Sequence, residues 1–589
     1  MLQPTNRLTL IDSLRPPAGY IFDAAMAVTY TLDLRALLAA PAALALQREV
    51  GSGQEGSQLP VDVLHAIRSH AGQMSMFCQA GGTAAPPAEK VFSFLEGAVI
   101  PVTAPGGGVV HPKVWVIRYR GTEDEGDTKL RVLVASRNIT FDPSWDTVIR
   151  LDEAVSGGCD LSPIGSLFEG LCENTVSEPR DDHLARVATL CADLRQGSFA
   201  LPVGIDALHA HVFGLRPTPL PFPTVADQSI IISPFLSPSF FQEIYPHGVT
   251  RLVSRTDSLS TIAGVETVEQ RLWFDDGSSE EDRGDPIGPA LPLRGLHAKV
   301  FAFEVGTTTH WFFGSANATR AAFRSNVEIL LELKGKTKKV GIDVACSGDG
   351  DEPGLEDLFR EFPMEQGAVV ADDQDRRLLD DTARSIASMV VTAQAEKSTV
   401  GWSVTYATEA PIHLPPGVNL AVWPSTVPGS RKKLPNGKRL EASFSTPLEA
   451  VSGFLSVEVA TGELSTQFCI PVLIDGLPDD RDAQLMRTLI GNAGRFFAYL
   501  LALLSDVNGE SDLLSDVSSA TWGDETWSAG FDGASQAPVL ERMLRSMRTD
   551  PTKLLEIRPL VQAMGGDGIL PTEFIDLWLS VVAVASRRP

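Results

Sequence analysis

The strongest constraint on this chain is a pattern that occurs twice. His111-Pro112-Lys113 is followed by Ser136-Arg137-Asn138, and His297-Ala298-Lys299 is followed by Ser315-Ala316-Asn317. The two histidines stand 186 positions apart. In an extended segment residues two apart share a face. Each copy therefore presents an imidazole beside an ammonium, then a hydroxyl beside a carboxamide. A lone H-x-K is usually an ordinary surface strand, and a lone S-x-N says less. Two copies in the same order and in similar local settings point to duplicated halves that fold alike.

The flanking sequence supports that reading. Residues 111–120 and 130–136 alternate as two strands of a hairpin, with the acidic stretch 121–129 at its tip. The second copy has the same shape: strands over 296–305 and 310–319 around a short turn at 306–309. A strand at 227–233, a short helix near 239–245 and a strand at 249–255 precede it. The first copy is preceded by a strand near 17–35, a helix around 62–72 and a strand near 74–80. Beyond residue 395 short β segments separated by Pro and Gly predict a small antiparallel β domain. From about 480 the periodicity is helical, interrupted by a Gly/Ser/Asp/Trp-rich loop or lid at 509–534. The expected division is 1–220 and 221–394 for the two halves, 395–478 for the β-rich unit and 479–589 for the helical one.

The motifs resemble the H-x-K-x4-D and G-S-x-N signature of the phospholipase D superfamily. The second copy matches closely, with Glu304 where the signature has Asp. The first departs further: Arg118 takes the acidic position and Ala135 replaces the Gly before Ser136. Loss of that acid is similar to the tyrosyl-DNA phosphodiesterase branch. The resemblance covers roughly residues 15–335, and the chain as a whole is similar to bacterial nuclease-like members, some of them associated with anti-phage defence. It implies an α/β fold with mixed sheets, a pseudo-two-fold duplicated phospholipase D-like domain, and one active site shared by both halves.

The chemistry the resemblance implies is a two-step phosphoryl transfer without metal or other cofactor. One histidine attacks phosphorus to give a phosphohistidine; the other protonates the leaving oxygen and then activates water. Lys113, Lys299, Asn138 and Asn317 would stabilise charge on the non-bridging oxygens. Ser136 and Ser315 would add hydrogen bonds. Glu304 would orient its local histidine or brace the fold, and Glu328 would hold a histidine by its second ring nitrogen. Analogy favours His111 as nucleophile and His297 as acid, whereas the more complete second motif favours the reverse.

Charge and composition narrow the partners. A net charge of -25 gives the chain no global attraction for nucleic acid or anionic lipid. A DNA substrate is then expected to arrive through a helicase or translocase partner. Two local basic clusters, Lys334–Lys339 and Arg431–Arg439, could touch a nucleic-acid backbone, although solvated loops are the commoner meaning of such runs. Six scattered cysteines without a CxxC pair read as buried thiols in a reducing compartment. The start of the chain lacks a secretory leader pattern, and each apolar run is too short to span a bilayer, so a cytoplasmic location is expected. Homo-oligomerisation is left open. His209-Ala210-His211 could ligate a metal but has no third ligand at sensible spacing, and Gly106–Gly108 lacks the Lys-Ser/Thr of a phosphate loop. Arg255 could end a strand near the site or be an ordinary surface arginine. The competing functions are a phospholipase or phosphatidyltransferase, and a non-catalytic assembly protein with a decayed site.

Overall fold

The computed structural model describes residues 10–45, 67–274, 295–347, 354–363, 374–493 and 557–585, together with a few positions between 496 and 555; within these spans residues 125, 142, 143, 156, 263 and 400 are not described. The expected lid at 509–534 and residues 62–66 of the first predicted helix lie outside the described residues. The architecture is mixed α/β, with both parallel and antiparallel pairing inside single sheets.

The first sheet contains β1 (Tyr20–Thr29), β2 (Met74–Gln79), β3 (Val99–Val102), β4 (Val114–Gly121), β5 (Thr128–Ala135) and β6 (Val148–Asp152), in the order β3-β2-β1-β4-β5-β6. Strands β1, β2 and β3 run parallel, and β4, β5 and β6 follow as an antiparallel meander. The second sheet contains β7 (Ala207–Phe213), β8 (Gln228–Ile232), β9 (Val249–Ser254), β10 (Val268–Phe274), β11 (Val300–Val305), β12 (Thr308–Gly314), β13 (Glu328–Lys336) and β14 (Phe359–Glu361). Its order is β14-β10-β9-β8-β11-β12-β13-β7. Within it, β10-β9-β8-β11-β12-β13 repeats the order and the strand senses of the entire first sheet.

Strand alternation explains how the sheets are joined. Met26, Val28, Val116 and Val132 of the first sheet and Ile230, Val300, Trp311 and Ile329 of the second belong to one buried apolar core. The helices Ser162–Cys172 and Asp181–Gln196 add Phe168 and Leu190 to it. The opposite face of the first sheet, with Ala27, Met76 and Trp115, is covered by the helix Leu34–Ala45. The opposite face of the second, with Phe301, Phe303 and Phe312, packs on Phe240, Tyr245 and Phe323.

Two four-stranded sheets follow, with a shared core that includes Tyr406, Phe444, Leu455 and Phe468. The helix Gln374–Ala387 contributes Leu379 and Ile386 to the same core, and the first strand there, Val391–Ser398, runs across residue 394. Among the described C-terminal residues, the helices Arg481–Ile490, Arg558–Gly566 and Thr572–Ala585 bury Met486, Leu560, Phe574 and Trp578 together. No helix among the described residues is long and apolar enough to cross a membrane.

Candidate active site

Each H-x-K lies immediately before a strand, not inside one as the alternation suggested. His111 and Lys113 precede β4, and His297 and Lys299 precede β11. The cause is that these extended residues pair with the other half of the molecule. His111 N donates to Val327 O at 3.0 Å, and Val327 N donates to Val109 O at 2.9 Å. The mirror pairing has His297 N donating to Trp145 O at 2.8 Å and Trp145 N donating to Gly295 O at 3.0 Å. Each histidine is therefore tied to the segment that follows the opposite half's S-x-N. The approach is close: a Cβ on Gly108 would lie 1.8 Å from Ser325 O, so only glycine fits there.

The S-x-N serines have structural partners as well. Ile329 N donates to Ser315 Oγ at 3.0 Å, and Thr147 N donates to Ser136 Oγ at 2.8 Å. These bonds put Val327-Glu328-Ile329 and Trp145-Asp146-Thr147 in register with one another. Glu328 and Asp146 hold equivalent places, and no motif marks Asp146.

The two acids behave differently. Glu328 is fully buried, and its Oε2 is 2.9 Å from His111 Nδ1. Ser315 Oγ donates to the same oxygen, and Asn326 Nδ2 donates to Oε1 at 3.4 Å. Asp146 instead pairs with Arg137, with Oδ2 3.1 Å from Nε. His297 Nδ1 sits 3.1 Å from Ser136 O and 3.4 Å from Lys299 Nζ. The shorter contact makes Nδ1–H a donor to the carbonyl. Both rings then carry their proton on Nδ1 and leave Nε2 as the reactive nitrogen.

The lysines are almost without solvent exposure. Lys113 Nζ donates to His111 O at 2.5 Å and Lys299 Nζ to His297 O at 2.7 Å. Burial lowers the Lys113 ammonium well below its ordinary range, and Lys299 adds repulsion that Glu328 partly offsets. Burial brings Lys299 down to about 7 against the attraction of Glu328 and Asp146. Burial also lowers His111 to about 4; Glu328 opposes the shift, while Lys113 and Lys299 reinforce it. His297 falls to about 3, from burial first and then from Lys299, Lys113 and His111. Groups from both halves thus act on each other's protonation, as they must if they line one site. The pattern describes a desolvated cluster of basic groups whose mutual repulsion the Glu328 carboxylate only partly offsets.

The asparagines point the same way. The Oδ1 atoms of Asn138 and Asn317 are both buried and both without a hydrogen-bond partner. Such atoms are costly to leave unpaired, and the amide orientation can exchange donor for acceptor. Tyr30, a residue no motif singled out, packs edge-on against His111 with ring centroids 5.2 Å apart and lies 5.8 Å from Lys113 Nζ. A cleft is lined by Lys113, Arg137, Asn138 and Asp146 together with apolar residues that include Val28 and Trp115.

Glu304 is not brought to this site. Five residues along a strand carry it about 17 Å past Lys299, where Oε1 accepts from Ile342 N at 2.7 Å at the start of the helix Ile342–Ser347. Its contacts brace that helix and orient no histidine. Arg118 holds Asp23 at 2.5 Å and Asp193 at 2.9 Å, fastening β4 to β1 and to the helix Asp181–Gln196. His211 and His310 both lie on Glu332, at 3.1 and 2.9 Å, and among the described residues no three such side chains are placed to hold a metal ion together. Lys334 pairs with Glu332 at 3.3 Å, and Arg431 pairs with Glu458 beneath Trp423. Arg255 lies over the exposed Phe235 ring at 5.6 Å.

No protein-family model matches the sequence, and no curated protein does. Among solved structures, the chain is similar to yeast tyrosyl-DNA phosphodiesterase, at 10% identity and a TM-score of 0.30, covering 57% of this chain and 87% of that one. A mutant form of the same enzyme gives 10% identity and a TM-score of 0.33, over 54% and 83%. Polyphosphate kinase from Porphyromonas gingivalis gives 11% identity and a TM-score of 0.28, over 64% and 44%.

Proposed function

We propose that this chain is a phosphodiesterase that needs no metal, and that its substrate is DNA. One observation carries the reading: His111 and His297, each beside a buried lysine, are interlocked by mutual backbone pairing with the opposite half. Two imidazoles that can present Nε2, two lysine amines and two carboxamides whose Oδ1 atoms have no partner suit an in-line displacement at phosphorus. The lysines provide the positive charge on non-bridging oxygens that a metal ion would otherwise supply.

His111 is the better nucleophile because Glu328 holds Nδ1–H and stabilises the positive charge its ring gains on attack. In the first step His111 Nε2 bonds to phosphorus, the P–O bond to the leaving group breaks, and His297 Nε2–H gives its proton to the departing oxygen. In the second, water attacks the phosphohistidine, the P–N bond breaks, and His297 takes the water's proton. The similar halves are read as a duplicated, pseudo-two-fold domain, in keeping with the strand orders. The placement in an anti-phage system follows from the sequence resemblance, and delivery of the substrate by a helicase or translocase from the net charge of -25.

The test is cleavage of a 5′-labelled oligonucleotide in EDTA beside turnover of phosphatidylcholine vesicles. Cleavage of the oligonucleotide alone supports the proposal. Turnover of the lipid alone would transfer the same site to a phospholipase. Activity on neither, or activity that survives His111→Ala, would remove the catalytic reading.

A further inference from the structure

The mechanism leaves one problem, and this inference rests on that phosphodiesterase reading. His297 must carry a proton on Nε2 to act as the acid. Most of what faces it opposes this: burial, Lys299 beside it, and Lys113 and His111 from the first half, against one hydrogen bond to Ser136 O that favours it. Its Nδ1 is supported only by a neutral carbonyl, Ser136 O. His111 has a carboxylate at the equivalent place, Glu328. The acid in register with Glu328 does exist in the first half. It is Asp146, but it is engaged by Arg137.

We propose that Arg137 receives the substrate's phosphate, and that in doing so it releases Asp146 to turn onto His297 Nδ1, assembling the acid only when substrate is bound. Four observations support this. Arg137 lies between Ser136 and Asn138, in the segment assigned to phosphate recognition. Arg137 and Asp146 line the same cleft as Lys113 and Asn138. Both are about a quarter exposed, so the pair is reachable and able to rearrange, unlike the fully buried Glu328. Asp146 is already close enough to attract the Lys299 ammonium. A guanidinium exchanges a carboxylate for a phosphate readily, since both accept its planar fork. The residue standing where Arg137 does in the second half is Ala316, so this exchange belongs to the first half only. Arg137 thus becomes a substrate-binding residue and Asp146 a positioning residue.

The experiment compares wild type with Asp146→Asn, Asp146→Glu and Arg137→Ala on two substrates, with thermal melts to establish folding. An oligonucleotide has an alkoxide leaving group that needs the acid; bis(4-nitrophenyl) phosphate has one that does not. Asp146→Asn is expected to lower kcat on the oligonucleotide about 10–100-fold and to move the basic limb of its kcat profile down by about one pH unit. The basic limb of kcat/KM, which reports free enzyme, should stay in place. The nitrophenyl ester should change less than about threefold, and Asp146→Glu should restore oligonucleotide cleavage. Arg137→Ala should weaken inorganic phosphate binding in calorimetry about tenfold. An equal loss on both substrates, an unmoved kcat limb, or unchanged phosphate binding in Arg137→Ala would overturn the proposal while leaving the phosphodiesterase reading intact. If wild type turns over neither substrate, that reading fails, and the calorimetric arm still decides whether Arg137 binds the anion.

Discussion

Glu328 holds a histidine that lies 217 residues away from it: Oε2 is 2.9 Å from Nδ1 of His111, with Glu328 itself fully buried. The acid belongs to the strand that follows the second S-x-N, and the histidine to the first H-x-K. Replacing Glu328 by Gln keeps the shape and removes the charge. Oligonucleotide kcat/KM is expected to fall about 10²-fold. The sign of the pH effect follows from the charges. Glu328 opposes the lowering of His111 to about 4, so its loss moves that ionisation further down. The acidic limb of the kcat/KM profile should shift to lower pH. Glu328→Ala should also cost about 2–3 kcal/mol, since Ser315 and His111 would lose a buried partner.

Asn138 and Asn317 separate activity from stability. Their buried Oδ1 atoms have no partner to lose, so an alanine at either position should change Tm little, within about 1 kcal/mol of stability. If the amides bind phosphate oxygens, each variant should nonetheless lose about 10²-fold in kcat/KM. A thermal melt beside a rate measurement checks both halves of the statement. A large drop in Tm with retained rate would make these asparagines structural.

Acid should destabilise the fold through its buried histidines. Burial is the largest cause lowering His70, His111 and His183 to about 4 and His297 to about 3. Unfolded histidines titrate near ~6.5. Between about 6.5 and 4 the unfolded chain binds more protons, so stability rises with pH there. The contribution is fully present above the unfolded value and is lost as pH falls through this window. Tm measured from pH 7.5 to 4.5 should fall steadily. His183→Gln should flatten the decline, because that ring is set between Ser75 Oγ at 2.8 Å and Gly97 O at 2.6 Å.

Restoring the motif's acid at position 118 should harm the protein. Arg118 is the cation between Asp23 and Asp193. Arg118→Asp would put three carboxylates together and cost about 2–4 kcal/mol. Its distance from the reacting groups should leave the pH profile of the surviving folded enzyme unchanged. A gain in activity would mean that the position does orient a histidine.

The residues proposed for the site were legible because their side-chain chemistry recurs in order. His111, Lys113, Asn138, His297, Lys299 and Asn317 needed only local alternation to be placed on common faces. Glu328 was legible as a histidine holder, but the histidine it serves was not, because that choice is made by pairing across 217 residues. Asp146 and Tyr30 carried no pattern: one is an acid in the short segment before β6, the other the last residue of an apolar run. Of the two roles motif spacing allowed Glu304, bracing the fold is the one its contacts fit, since an extended strand carries it to a helix start. The strand boundaries also shifted for a tertiary reason. His111 and His297 pair with the opposite half and so stand outside their own hairpins.

The central claim is one composite site, and single-histidine variants test it most directly. Cleavage of a labelled oligonucleotide in EDTA is measured for wild type, His111→Ala and His297→Ala at equal folded concentration. Residues acting as a unit lose activity together. Each variant is expected to fall by at least about 10³-fold, and mixing the two should restore nothing. Retention of about half the wild-type rate by each variant, as two independent sites would give, would contradict the account.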